Sequence, residues 1–248
     1  MKIGIVGYGI VGKATERRLA GNEFFILDPP LGFNDDISEC DIIFICINEK
    51  NSEMKTLDTI VKSLVLNNKK CFFVIRTTVV PGTTDRYIAE YRRMFVFMPE
   101  FLREWNAEYD SLYPDKTIVG TMDSGITEIL SILFNGILQV KPIDAELAKL
   151  ALNSLALIKV VFAEELHDLA TKLNADYGNI YKIFKLDQNV NERHLLAYKD
   201  GYRGANGKCL PKDSDFLAET GKYNNTPLNL LETAIAINKF MLRYKDGL

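Results

Sequence analysis

The chain has 248 residues, 47% of them hydrophobic and 25% charged, which is the balance of a globular protein long enough to bury a large core. A formal charge of −3 offers no basic footprint for nucleic acid or for an acidic membrane surface. Four cysteines without CxxC spacing and two histidines, His167 and His194, argue against a disulfide framework or a histidine-rich metal centre, so no metal and a reduced, cytoplasmic setting are expected.

Met1 leads directly into KIGIVG, with no charged-then-apolar leader, and no apolar run is long enough to span a bilayer; no membrane partner is expected. Short apolar runs at Lys2–Val6, Phe24–Leu27, Asp41–Ile47, Cys71–Ile75, Met94–Phe97, Thr117–Gly120 and Ile137–Val140 read as strands. Between them lie helical patterns at Ile10–Ala20, Glu53–Leu66, Thr84–Arg92 and Gly125–Phe134. This alternation predicts an α/β fold, a Rossmann-type doubly wound parallel sheet over residues 1–142. From Asp144 to Asn174 there is neither glycine nor proline, and the texture turns to Ala, Leu, Lys and Glu. One helix of about 30 residues, about 45 Å long, is expected there as the spine of an all-α domain over residues 143–248. Two more helices fit Asp213–Lys222 and Pro227–Tyr244, the latter with Thr226 as cap, and Asp200–Lys212 reads as a loop rich in glycine and charge.

Gly7-Tyr8-Gly9-Ile10-Val11-Gly12 closes the first strand and opens the first helix. The first glycine permits a tight turn, the second lets backbone approach a pyrophosphate, and the third allows close helix–strand packing. Asp28 ends the second strand roughly 20 residues later, where a carboxylate accepts from ribose hydroxyls and repels a 2′-phosphate; the expected cofactor is NAD.

Four further segments carry unusual polar residues. Arg76-Thr77-Thr78-Val79-Val80-Pro81-Gly82-Thr83-Thr84 and Pro99-Glu100-Phe101-Leu102-Arg103-Glu104 each follow a strand, at the edge where open α/β sheets bind ligands. Lys149 and Asn153 stand i, i+4 on the long helix and so share a face. Gly207-Lys208-Cys209-Leu210-Pro211-Lys212-Asp213 sets a thiol just before a helix, flanked by two lysines that favour the nucleophilic thiolate.

Taken in order, these segments resemble the UDP-glucose/GDP-mannose dehydrogenase family over nearly the whole chain. CDIIFICIN at Cys40–Asn48 and AELAKLALNSLALIKVVFAEE at Ala145–Glu165 look like its members. RTTVVPGTT is similar to the family's STVPPGTT, MPEFLRE to its NPEFLRE, and GANGKCLPKD to its GGxCxPKD loop. The resemblance implies a dehydrogenase that oxidises the primary alcohol of a small-molecule substrate, a nucleotide sugar, to a carboxylate in two NAD-dependent steps through a cysteine thioester. It also implies roles. Cys209 is the nucleophile, Lys149 and Asn153 stabilise oxygen charge, and Asp213 assists proton transfer. Thr78 and Glu104 order water beside the cofactor, while Glu100, Phe101, Leu102, Arg103 and Gly207 shape the substrate site.

The sequence departs from the family at Asn48-Glu49, where the pattern has Thr-Pro, at Met98, where it has Asn, and at Ala205-Asn206-Gly207, where it has Gly-Gly-x. The family's full-length members continue into a further α/β domain that grips the nucleotide, whereas these residues end at Leu248, leaving that wall to a partner or to a smaller substrate. Leu147, Leu150, Leu155, Ile158, Phe162 and Leu166 cover more than one face of the long helix, so a homodimer is expected. Two other readings share the glycine turn: a two-electron hydroxyacid dehydrogenase with no use for Cys209, and a non-catalytic NAD-binding module.

Overall fold

The computed structural model describes residues 1–103 and 106–243, Asp200 by its backbone alone. Packing divides the chain into two units, Met1–Lys149 and Leu150–Leu248.

The first unit is built on an eight-stranded sheet: β1 (Lys2–Val6), β2 (Glu23–Asp28), β3 (Phe33–Asn34), β4 (Ile42–Ile45), β5 (Phe72–Ile75), β6 (Phe95–Phe97), β7 (Thr117–Gly120) and β8 (Ile137–Val140), in the order β3-β2-β1-β4-β5-β6-β7-β8. β1 lies between β2 and β4, which makes its carboxyl end the point where the connections reverse direction across the sheet. The parallel register aligns Leu27, Val6, Ile45, Ile75 and Phe97 in one row, so all five strands finish at one edge. The sheet is not parallel throughout. β3 pairs antiparallel with β2, and β7 with β6 through Phe97 and Gly120. Pro29 and Pro30 allow only a short 3-10 turn after Asp28, so the chain doubles back as a hairpin there.

Both faces of the sheet are covered, as continuous apolar strands require. On one, Ile3, Ile5, Ile42, Phe44, Val74 and Val96 pack with Leu19, Ile126, Leu130 and Phe134. Alternation sends Phe73 and Phe95 to the other face, their rings stacked 4.9 Å apart, with Tyr87 5.4 Å from Phe95. The helices are α1 (Ile10–Arg18), α2 (Lys55–Asn67), α3 (Thr83–Tyr91), α4 (Ala107–Leu112) and α5 (Ser124–Leu133).

α6 (Pro142–Lys172) is one continuous helix of 31 residues. It begins at Pro142, whose missing N–H belongs to the first turn, where no intrahelical acceptor is needed. Its first two turns belong to the first unit, so packing parts the chain at Lys149–Leu150 and not at Pro142. In the second unit follow α7 (Tyr177–Leu186), α8 (Cys209–Tyr223) and α9 (Asn229–Arg243). Ala163, Ala170, Tyr177 and Leu195 make its core with Leu166, Ile180, Tyr181 and Phe184 packed around them. α8 starts at Cys209, four residues before the expected Asp213, while α9 starts at Asn229, two after the expected Pro227. Thr226 does not cap α9; its N–H donates 2.8 Å back to Gly221 O and closes α8.

Phe95 is 1% exposed between Phe73 and Tyr87. Phe95→Ala should therefore lower unfolding stability by about 3–5 kcal/mol. A urea midpoint shifted by less than the equivalent of about 1 kcal/mol would show that this face of the sheet is not packed as described.

Candidate functional site

The carboxyl edge of the sheet begins with the glycine turn. Gly7 has φ +89°, and a Cβ there would lie 2.9 Å from the Cys46 carbonyl, so neither the backbone nor the space admits a side chain. Gly12 is closed in the same way: a Cβ would meet Gly7 O at 2.2 Å. Gly9 differs. It is the N-cap of α1, and nothing lies within 4 Å of where its Cβ would be. The first turn of α1, with Ile10 exposed and Val11 half-buried, thus presents N–H groups over an open glycine, the cradle a pyrophosphate needs. Asp28 Oδ2 accepts from Tyr8 N–H at 2.6 Å, which ties the end of β2 to the turn. The Tyr8 hydroxyl donates to Glu16, and this bond to a carboxylate pushes its pKa up to about 12. Asp28 stands opposite Phe33, whose ring meets that of Tyr8 edge-on at 4.8 Å.

The departure at Asn48-Glu49 is structural. Glu49 is 2% exposed; its Oε1 accepts from Lys50 N–H at 3.0 Å and its Oε2 from Leu57 N–H at 2.9 Å, which anchors the start of α2. After β5, Thr77 is buried and its hydroxyl donates to Ile47 O at 3.0 Å, so Thr78 is the half-buried threonine of the pair. The far end of this loop is held by Glu146 of α6. Its carboxylate accepts from Gly82 N–H (2.6 Å), Thr84 N–H (2.8 Å) and the Thr84 hydroxyl (2.6 Å), capping α3 from another element. Burial pushes the Glu146 pKa up, against the pull of those donors. Glu146 was not foreseen, because a charged residue in a helical pattern carries no mark of burial.

Glu100 and Lys149 come together. The Lys149 ammonium donates to Glu100 O at 2.7 Å and stands 3.3 Å from its Oε1, while Glu100 Oε2 accepts from Leu102 N–H at 2.7 Å. Phe101 lies under two ammonium groups, that of Lys116 at 4.3 Å and that of Lys149 at 5.2 Å from the ring centre. Arg103 is turned to Asp110, donating through its backbone N–H (2.8 Å), Nε (2.9 Å) and Nη2 (2.5 Å). Glu104 lies outside the described residues.

In the second unit Asp213 is 1% exposed. Asn153 Nδ2 donates to its Oδ2 at 2.6 Å, and Lys212 pairs with its Oδ1 at 2.9 Å. Cys209 stands one turn earlier, exposed, as the first residue of α8. The Lys212 charge is directed at Asp213 and over the Phe216 ring, 4.6 Å from its centre. Gly207 is exposed in the preceding loop. The other three cysteines are buried, and desolvation pushes the thiols of Cys46 and Cys71 up to about 11. Among the described residues, no cluster of His, Cys, Asp or Glu is arranged to hold a metal ion, and no helix is long and apolar enough to cross a membrane.

The chain therefore joins a doubly wound, dinucleotide-type α/β unit to a helical unit that carries an exposed thiol above a buried carboxylate. Residues 30–138 match the NAD binding domain of the UDP-glucose/GDP-mannose dehydrogenase family, and residues 143–240 match its central domain. The chain belongs to that family. The matched range begins past the glycine turn and Asp28, whose reading stands on their geometry. The UDP-glucose 6-dehydrogenase of Rickettsia conorii is 31% identical over 223 residues, 84% of this chain and 51% of that protein. A putative UDP-glucose 6-dehydrogenase of Bacillus subtilis is 27% identical, covering 86% of this chain and 54% of its own length. The chain spans about half the length of these curated relatives. The UDP-glucose dehydrogenase of Pyrobaculum islandicum shares the fold, with a TM-score of 0.86 at 22% identity over 98% of this chain and 69% of that one.

Three bonds from Arg103 hold the Asp110 carboxyl down to about 2. A depressed carboxyl adds stability that is complete above its unfolded value of about 3.9 and is lost as pH falls through its folded value. Carbon-13 titration should place the Asp110 midpoint near 2, and Arg103→Met should return it toward about 3.9. Identical midpoints in the two proteins would contradict the pairing.

Proposed function

We propose that this chain is an NAD-dependent dehydrogenase that oxidises the primary alcohol of a nucleotide sugar to a carboxylate in two steps, through a thioester on Cys209. The observation that carries this reading is an exposed thiol at the first residue of α8, one turn from a buried Asp213 that is tied to Asn153. The first unit would hold NAD: the N–H groups of Ile10, Val11 and Gly12 on the pyrophosphate, and Asp28 on the ribose. Bound NAD supplies the hydride acceptor at each oxidation.

The alcohol loses a proton and a hydride and becomes an aldehyde. The Cys209 thiolate adds to the carbonyl carbon, the carbon–oxygen π pair moves to oxygen, and protonation gives a thiohemiacetal. Loss of a second hydride and of the hydroxyl proton gives the thioester. Water then adds, the carbon–sulfur bond breaks, and the thiolate and the carboxylate are released. Each turnover thus consumes one water and two NAD. Lys149 and Asn153 would meet the oxygen where charge gathers; a donor in that role is typically worth about 10²–10³ in rate. The Lys149 ammonium has three N–H bonds, and its contacts with Glu100 occupy two of them. Asp213 would take and return the proton, with Thr78 and Glu104 ordering the water. Glu100, Phe101, Leu102, Arg103 and Gly207 would contact substrate.

A catalytic thiol needs a reducing compartment, which supports a cytoplasmic location. An exposed apolar stripe on α6, formed by Leu152, Leu155, Phe162 and Leu169, supports a homodimer. Sedimentation should give twice the chain mass, and Leu155→Glu with Phe162→Glu should reduce it to one; a wild-type monomer would remove the dimer from the proposal.

The reaction is tested by counting NADH per alcohol consumed, with UDP-glucose and GDP-mannose as first substrates. Two are expected, and Cys209→Ser should bind NAD normally while forming no carboxylate. One NADH per alcohol, or full carboxylate formation by Cys209→Ser, would refute the thioester route.

A further inference from the structure

The segment leading to Cys209 is held by a residue that none of the readings above uses. Asn238 of α9 is 2% exposed. Its Oδ1 accepts from Ala205 N–H at 2.7 Å, and its Nδ2 donates to Ala205 O at 3.2 Å. One side-chain amide thus satisfies both polar groups of Ala205, as a neighbouring strand would. Gly204 is fitted to this contact: its φ is +77°, and a Cβ there would stand 2.8 Å from Asn238 Oδ1. The same stretch is sewn to α6 by Glu164, 1% exposed, whose Oε1 accepts from Tyr198 N–H at 2.9 Å and from Gly204 N–H at 3.4 Å. Arg203 adds an ion pair with Asp168 and lies 5.9 Å from the Tyr198 ring centre.

Beyond Ala205 the chain is exposed. Asn206, Gly207 and Lys208 lie at the surface, and nothing stands within 4 Å of where a Gly207 Cβ would be. On the far side of Cys209, Asp213 is held by Asn153. Cys209, the first residue of α8, thus lies in the stretch bounded by two buried anchors, the Ala205 peptide and the Asp213 carboxylate.

We infer that Asn238 is a positioning residue for the nucleophile: by fixing both sides of the Ala205 peptide it sets where the Cys209 thiol stands, and so decides whether the aldehyde is captured or escapes. This rests on Cys209 being the nucleophile. Glu164 restrains the start of the segment, and Asn238 holds the residue nearer to Cys209 along the chain. Capture requires the sulfur within bonding reach of the carbonyl carbon before the aldehyde diffuses away, and a thiol on a loosened tether meets that carbon less often. The first oxidation does not use the thiol and is spared.

The test uses the full chain with Asn238→Leu, which keeps the bulk and loses both hydrogen bonds, and Asn238→Asp, which keeps an acceptor for Ala205 N–H. Thr233→Ala, on the exposed side of α9, is the control. The readout is the ratio of trapped aldehyde to carboxylate, which does not depend on how much protein is folded. In Asn238→Leu the aldehyde share should rise at least roughly tenfold and NADH per alcohol should fall toward one, with Asn238→Asp between it and the unchanged control. NAD affinity and the KM for alcohol should hold. An unaltered ratio in Asn238→Leu overturns the inference, and if that variant does not fold, an unaltered ratio in Asn238→Asp does so. If the unsubstituted chain oxidises no alcohol, the dehydrogenase reading fails on its own. Amide exchange at Ala205 and alkylation of Cys209 by iodoacetamide then decide the clamp, with roughly tenfold faster exchange and an altered alkylation rate expected. Unchanged values of both would overturn it.

Discussion

A carboxylate or amide taken out of water must find hydrogen-bond partners in the protein, and nearly every loop of interest in this chain is shaped by that requirement. Asp28 holds the glycine turn through Tyr8 N–H, Glu49 anchors α2, and Glu146 caps α3. In the second unit Glu164 and Asn238 hold the stretch before Cys209, and Asp213 is tied to Asn153. Removing any one acceptor would leave buried N–H groups unpaired, at about 1–3 kcal/mol each. These residues are therefore coupled to loop position first and to local stability second.

That arrangement explains how strand ends that share one edge come to carry shaped loops. A parallel sheet brings its strand ends to one edge but does not fix the loops beyond them. The row from Leu27 to Phe97 sets where each loop leaves the sheet, and the buried acceptors set where each one goes. Glu100 shows both effects: it follows the β6 end of that row, holds Leu102 N–H and receives the Lys149 ammonium. The cysteine loop has no strand beneath it, and side chains of α6 and α9 hold the stretch that leads to it.

Much of this could be read in the residues. Uninterrupted apolar runs marked β1, β4, β5 and β6, because a strand buried on both faces leaves no polar position. The glycine turn was legible because Gly7 and Gly12 tolerate no Cβ, a constraint written in residue type. α7 escaped notice, since Tyr177–Leu186 is short and contains Gly178, whose position inside a helix contradicts the usual reading of glycine as a breaker. The hairpin of β3 was missed because two residues carry no period. α8 was started too late because Pro211 was taken as loop, although proline is well tolerated in the first turn of a helix.

By itself the sequence determined most of the strands and the longer helices, where a dinucleotide turn sits, and which residue types stand ready for chemistry. Those are properties of neighbours along the chain, fixed by sterics and by hydrophobic period. Only the tertiary structure decided that Glu146 and Asn238 are buried anchors, that Asn153 meets Asp213, and that Lys149 meets Glu100. A charged or amide side chain looks the same in sequence whether it meets water or a buried peptide. Its role is set by partners dozens of residues away, which local pattern does not encode.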